Sequence, residues 1–167
     1  MNKKQKGFSL IELLIVVAII LIIAAIAIPN LLRARIAANE ASAVGSVRTL
    51  DTAEVTYSST YGTGFAPLAN LGGAAPCVAA PATACLIDPV LTLGTKTGYT
   101  VAAVAATGAG TVASPFQTFE VNATPLSVST GTRAFCSDQS GVVRYNTTGA
   151  AIGTGAGTCA TVVTILQ

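Results

Sequence analysis

The sequence predicts an α+β protein in which one long amino-terminal helix packs on a small antiparallel β-sheet. Three observations lead to this prediction: an apolar run near the amino terminus, a segment with helical periodicity after it, and short β-rich stretches between turn residues in the carboxyl-terminal half. The 167 residues are therefore divided into a short basic segment at 1–7, an apolar helix at 8–28, an amphipathic helix at 29–61 and a globular head at 62–167.

The apolar run extends from Phe8 to Ile28 and contains one charged residue, Glu12. A helix of this length measures roughly 32 Å, enough to cross a bilayer core of about 30 Å. Three lysines precede the run, and the next basic residue is Arg33. Because basic residues tend to stay on the cytoplasmic side of a membrane, the amino terminus is expected to be cytoplasmic.

Residues 6–12 read K-G-F-S-L-I-E and lead directly into the apolar helix. This arrangement resembles the prepilin signature of type IV pilins and of type II secretion pseudopilins, closely over residues 1 to about 36 and only in general plan beyond them. The resemblance implies that a peptidase cuts after Gly7, that the new amino terminus on Phe8 is methylated, and that the helix becomes the core of a filament. Pro29 matches the proline that kinks the helix in this family.

The resemblance gives Glu12 a role in assembly. A carboxylate inside an apolar helix costs about 2.5–3.5 kcal/mol on insertion scales, so a partner is expected. Cleavage after Gly7 would create one, since it turns a peptide nitrogen into an ammonium group on Phe8. The resemblance implies that Glu12 of one subunit neutralises the amino terminus of a neighbour. The alternative is an acid that water reaches at the cytoplasmic face of the membrane.

An ordinary secretory signal is another interpretation of this segment. Ala25-Ile26-Ala27 fits a small-x-small cleavage site after a basic and an apolar region, and cleavage there would release a soluble protein that begins at Ile28. Glu12, at the start of the apolar region, and the Gly7–Phe8 junction argue against this interpretation. A membrane-anchored binding domain that never polymerises also remains open.

Beyond Pro29 the periodicity predicts that the helix resumes, from Leu31 to about Tyr61. Its apolar stripe consists of Ile36, Ala43, Val44, Val47, Leu50, Tyr57 and Tyr61. The charged residues around the stripe are expected to be solvated or to pair between subunits: Arg33, Arg35, Glu40, Arg48, Asp51 and Glu54. Gly62 and Gly64 are expected to end the helix, because glycine readily adopts a positive φ.

The head is expected to begin with a connecting loop at 62–98, where proline and glycine recur. Antiparallel strands are predicted at 99–105, 116–123, 133–137, 142–146 and 161–166. Four cysteines in this region allow three pairings, of which Cys77–Cys85 and Cys136–Cys159 are favoured because each closes a loop. A metal site is disfavoured, since the chain lacks histidine and a C-x-x-C pair.

The composition argues against catalysis. The chain has no histidine and its seven acidic residues are dispersed, so neither a Ser-His-Asp nor a Cys-His arrangement can form. No enzyme, cofactor or metal is therefore predicted. With 9 Lys+Arg against 7 Asp+Glu, the chain also offers no basic surface for nucleic acid.

These observations together predict a structural subunit of an extracellular filament like the type IV pilus. The precursor would cross the bacterial inner membrane once, and identical subunits joined head to tail would form an open helical polymer. The resemblance implies three further partners: a prepilin peptidase and methylase, an assembly platform protein and a cytoplasmic ATPase. The runner-up is a pseudopilin of a type II secretion system. An acidic cluster suited to the calcium site of the major pseudopilins is missing from the sequence, which counts against that particular subunit.

Overall fold

The computed structural model describes residues 9–153, 155, 157–162 and 164–166. The chain divides into two compact units, an amino-terminal unit, Met1–Arg35, and a head unit, Ile36–Gln167. Helix α1, Leu10–Tyr61, contributes residues to both. The predicted cleavage site at Gly7 and Phe8 lies outside the described residues.

Both ends of helix α1 are marked by local features of the sequence. Ser9 precedes it, and the carboxylate of Glu12 accepts a hydrogen bond from the Ser9 backbone N–H at 3.0 Å, as in a capping box. The helix continues through Pro29, so the prediction that it resumes beyond this proline is confirmed. It ends at Tyr61, where Gly62 takes a φ of +67°. The kink predicted at Pro29 stays a prediction.

The head unit contains one antiparallel sheet of five strands in the order β1-β2-β3-β4-β5. The strands are β1 Thr95–Lys96, β2 Tyr99–Ala106, β3 Thr118–Pro125, β4 Ala134–Asp138 and β5 Arg144–Asn146. Val101 pairs with Ala123, and Phe135 with Tyr145, as in a meander of neighbouring strands. The predicted α+β class, a long helix with a small antiparallel sheet, is confirmed.

Two parts of the predicted head are wrong. The segment 62–98 contains two short helices, α2 Leu68–Leu71 and α3 Pro89–Thr92, together with β1. The segment 161–166 is not a strand in its described residues: a 3-10 turn covers Cys159–Thr161, and a single bridge joins Ile165 to Arg144. The disulfide to Cys136 fixes Cys159 at the start of the turn. Residues 164–166 then lie beside β5, where Tyr145 N donates to the Thr164 carbonyl oxygen and Leu166 N to that of Val143, both at 2.9 Å.

The core of the head unit lies between the carboxyl-terminal half of α1 and the sheet. The predicted stripe is buried at Ala43, Val47, Leu50 and Tyr57, and packs in one cluster with residues of α2, α3 and the sheet. Val44 and Tyr61 are partly buried against the same cluster. The amphipathic part of the helix prediction is therefore confirmed.

Candidate functional site

The amino-terminal unit exposes a continuous apolar surface. Its large apolar side chains from Leu10 to Leu32 are between 45 % and 77 % exposed, and none of the most apolar 18-residue window is buried. Among the described residues, α1 is the helix that is long and apolar enough to cross a membrane. Soluble monomers rarely expose apolar patches of this size, so this surface is suited to lipid or to other apolar helices.

The carboxylate of Glu12 lies at the first turn of this apolar helix. Its Oε2 accepts the Ser9 N–H, while Leu13 N donates to the Ser9 carbonyl oxygen at 3.2 Å. The amino end of a helix carries a partial positive charge, which favours an anion there. Sequence reasoning placed Glu12 correctly in an apolar segment but missed that its carboxylate accepts the Ser9 N–H, which is one of the two hydrogen bonds of a capping box.

Glu40 joins α1 to the loop between β3 and β4. It is buried, and its Oε1 accepts the backbone N–H groups of Thr132 at 3.0 Å and Arg133 at 3.2 Å. Its Oε2 accepts Nε and Nη2 of Arg133 at 2.8 and 2.6 Å. Burial raises the pKa of Glu40, but the hydrogen bonds from Arg133 and Thr132 outweigh it and leave the pKa below its usual value.

Two more glutamates of the head unit are buried. Glu54 on α1 accepts the backbone N–H of Ala66 at 2.8 Å. Glu120 on β3 accepts the backbone N–H of Cys159 at 3.0 Å and the hydroxyl of Thr158. The carboxylate of Glu54 therefore joins α1 to the segment that follows it, and the carboxylate of Glu120 joins β3 to the carboxyl-terminal turn.

The expectation that the charges around the helix stripe are solvated is wrong for Glu40 and Glu54. Both are buried because backbone N–H groups of the head need acceptors at these points. A signal was present in the sequence: Glu40, Val47, Glu54 and Tyr61 are spaced seven apart, and so share one side of the helix with the stripe.

The cysteines form two disulfides. Cys136 on β4 bonds to Cys159 in the carboxyl-terminal turn, with 5.7 Å between their Cα atoms, so this favoured pairing is confirmed. Cys77 bonds to Cys85 within the loop between α2 and α3. The two bonds close separate parts of the head, one buried and one near the surface.

These features define a class of protein: a chain with an exposed apolar amino-terminal helix and a disulfide-closed α+β head. Comparison with known proteins narrows the class. The family model described as "Prokaryotic N-terminal methylation motif" matches residues 2–28. That range includes the apolar helix and the Gly7–Phe8 junction.

Two curated proteins match the same end of the chain. The type IV wide pilus major component PilA4 of Thermus thermophilus is 66 % identical over 38 residues, which cover 23 % of this chain and 29 % of that protein. The type IV major pilin protein PilA of Myxococcus xanthus is 45 % identical over 56 residues, covering 34 % and 26 %. The match thus spans less than a third of either relative. No solved structure matches the chain significantly.

The motif and these relatives confirm the resemblance to the type IV pilin family over the amino-terminal segment. Within the matched range, residues 10–28 form the start of α1, and the head lies outside the match to the family model.

Proposed function

We propose that this chain is the structural subunit of a type IV pilus-like filament, and that it polymerises through residues 8–28. One observation carries the proposal: a methylation motif opens a helix whose apolar side chains are exposed and which holds one carboxylate, Glu12. In this proposal residues 1–7 are a prepilin leader, 29–61 continue the helix and 62–167 form the outer coat of the fibre.

Glu12 sets the axial position of each subunit in this proposal. Prepilin peptidase removes residues 1–7 and the amino group of Phe8 is methylated, which leaves a cation next to the apolar helix. Within a bundle of such helices, Glu12 of one subunit pairs with that cation on a neighbour. The capping bond from Ser9 leaves Glu12 at the helix terminus, beside the end of the chain that cleavage creates. An unpaired charge in this environment costs about 3–5 kcal/mol, enough to reject a misplaced subunit.

Assembly exchanges lipid contacts of the apolar helix for helix–helix contacts. Because both surroundings are apolar, the exchange provides little driving force by itself. The inner membrane therefore holds the subunit until a platform protein and a cytoplasmic ATPase move it into the fibre, with the amino terminus starting on the cytoplasmic side. This arrangement follows the resemblance to type IV pilins.

The relatives favour a pilus over the alternatives. Both are named as major components of type IV pili. They therefore favour a pilus subunit over the alternative, a pseudopilin of a type II secretion system. A membrane-anchored domain that does not polymerise would share the exposed helix but would have no use for the methylation motif.

The decisive experiment replaces Glu12 by leucine in cells that make the filament. We expect Glu12→Leu to be processed normally, because the cleavage site is unchanged. It should give less than about a tenth of the wild-type sheared fibre, since the ammonium group of Phe8 then has no partner even in a correctly placed subunit. Ile19→Leu, which changes shape but not charge in the same segment, is the matched control and should assemble. Normal fibres from Glu12→Leu would show that the pairing is unnecessary.

Mass spectrometry of the mature chain separates the remaining interpretations. An N-methylated Phe8 at the amino terminus supports the filament subunit. An intact basic segment 1–7 would indicate a simple membrane anchor, and a chain that begins at Ile28 would indicate a secreted soluble protein.

A further inference from the structure

Helix α1 carries two carboxylates, Asp51 and Glu54, on the side that faces the rest of the head unit. Residues three apart on a helix share a face, so these side chains are neighbours. Glu54 is 0 % exposed and Asp51 is half-buried. The two residues are called here the acidic pair.

The acidic pair has too few hydrogen-bond partners for two ionised carboxylates. Glu54 Oε2 accepts the Ala66 N–H at 2.8 Å, but Glu54 Oε1 is buried without a partner. Asp51 Oδ1 is likewise buried without a hydrogen bond, and so is the hydroxyl of Ser137, which faces this carboxylate. An ionised carboxylate in this position loses its hydration without full replacement, which disfavours the charged form.

The charges around the acidic pair do not compensate for the lost hydration of its two carboxylates. Asp51 faces Ser137 and Asp138 of β4, and Asp138 is itself a buried acid. The cation that acts on Asp51 is Arg48, an exposed residue earlier on the same helix. Glu54 faces Asp51 and the backbone of Ala66. Among the described residues, neither member of the acidic pair forms an ion pair.

The protonation equilibria follow from this environment. Burial raises the pKa of Asp51 to about 6; the hydroxyl of Ser137 and the charge of Arg48 oppose the shift, while Asp138 adds to it. Burial raises the pKa of Glu54 to about 7, against the Ala66 hydrogen bond and with a contribution from Asp51. Because both values lie above those of the unfolded chain, the acidic pair binds more protons in the folded head than in the unfolded chain.

We propose that the acidic pair is a proton-linked device that controls how firmly the carboxyl-terminal half of α1 packs on the sheet. In mildly acidic surroundings the pair is protonated and the contact is firm. As the pH rises, the carboxylates ionise in a site without compensating cations, and the contact weakens. A group whose folded pKa is raised contributes less stability as pH rises through the interval between the unfolded and folded values.

The test measures the unfolding equilibrium of the 167-residue chain in detergent micelles by urea titration, with tyrosine fluorescence as the signal. The ratio of folded to unfolded head should fall roughly 100- to 1,000-fold between about pH 5 and about pH 8, because the two carboxylates contribute together. The chain has no histidine, and its cysteines are in disulfides, so few other side chains titrate in this interval. A ratio that stays constant within about threefold overturns the proposal.

Variants assign the effect to the acidic pair. The double variant Asp51→Asn with Glu54→Gln keeps the size of both side chains and the acceptor for Ala66, and should remove most of the pH dependence. Asp88→Asn is the matched control: Asp88 is exposed and paired with Lys96 at 2.9 Å, which lowers its pKa, so the wild-type dependence should remain. A double variant that keeps the wild-type dependence contradicts the proposal.

A second measurement does not depend on how well the variants fold. Infrared spectroscopy of the wild-type chain in heavy water should show a carbonyl band of protonated carboxyl groups at about pH 5 that disappears by about pH 8, because the acidic pair titrates between these values. If the folded wild-type chain shows no such band at the acidic end, the acidic pair is already ionised and the proposal fails.

Discussion

Leucine and glutamate side chains have opposite environments in the amino-terminal unit and in the head unit. Leu21 in the amino-terminal unit is 63 % exposed, whereas Leu50 in the head unit is 0 % exposed. Glu12 receives its hydrogen bond from a residue three positions away, whereas Glu40 receives its bonds from residues 92 and 93 positions away. In the head unit, Leu50 is buried and Glu40 is hydrogen-bonded through tertiary contacts. In the amino-terminal unit, Leu21 stays exposed and the hydrogen bond to Glu12 is local.

The difference shows which surfaces need something outside the chain. A helix with exposed apolar side chains gains most from lipid or from apolar neighbours, since burial of that area is strongly favourable. The head needs no such partner to bury its core. Substitutions should therefore affect filament formation in one unit and folding stability in the other.

The strongest test of this division compares two leucines. Leu50→Ala should lower the free energy of unfolding of the head by about 3–4 kcal/mol, because it removes fully buried side-chain volume and leaves a cavity. Leu21→Ala should change it by less than about 0.5 kcal/mol, since that side chain belongs to the amino-terminal unit and is 63 % exposed. Urea unfolding of the 167-residue chain in micelles measures both. Equal losses would mean that the two units are not energetically separate.

A second test compares the two disulfides within the head unit. Removing Cys136–Cys159, which spans 23 residues, should cost about 3.4 kcal/mol from loop entropy alone, and removing Cys77–Cys85, which spans 8, about 2.5 kcal/mol. The difference between the two losses should be larger than loop entropy alone gives. Cys136 and Cys159 are fully buried, so replacing them also removes packing contacts. Paired Cys→Ala variants followed by thermal unfolding test this order. A larger loss at the exposed disulfide would contradict it.

The third and smallest effect compares two glutamates. Glu40→Gln should lower the free energy of unfolding by about 2 kcal/mol, because it weakens charge-assisted hydrogen bonds to Arg133, whose side chain is 38 % exposed and can be partly rehydrated. Glu12→Gln should leave head stability unchanged. Urea unfolding at neutral pH measures both.

The same carboxylate gives a pH signature on the acidic side. Because the folded pKa of Glu40 is lowered, its contribution is present above the unfolded value and is lost as pH falls through the folded value. Wild-type stability should therefore drop below about pH 4.5 more steeply than that of Glu40→Gln. Parallel acid unfolding curves for the two chains would mean that Glu40 is not ionised in the fold.

The sequence by itself determined the features that depend on neighbouring residues. The apolar run, its single carboxylate and the junction at Gly7 are readable without a fold, and so is the helix end at Gly62, where glycine tolerates a positive φ. Four of the five strands in the sheet were located within two residues, because alternating β-branched residues bounded by turns are a local signal.

Tertiary structure decided the rest. The seven-residue spacing places Glu40 and Glu54 on the buried side of α1, but it does not show which groups make their burial possible. The backbone donors to Glu40, Glu54 and Glu120 come from other segments of the chain. The 161–166 segment has strand composition, yet Thr161 ends the turn that begins at the disulfide-bonded Cys159, and a single bridge joins Ile165 to Arg144 of β5. Burial of a charge depends on which donors the fold brings to it, and a pattern of residue types does not contain that information.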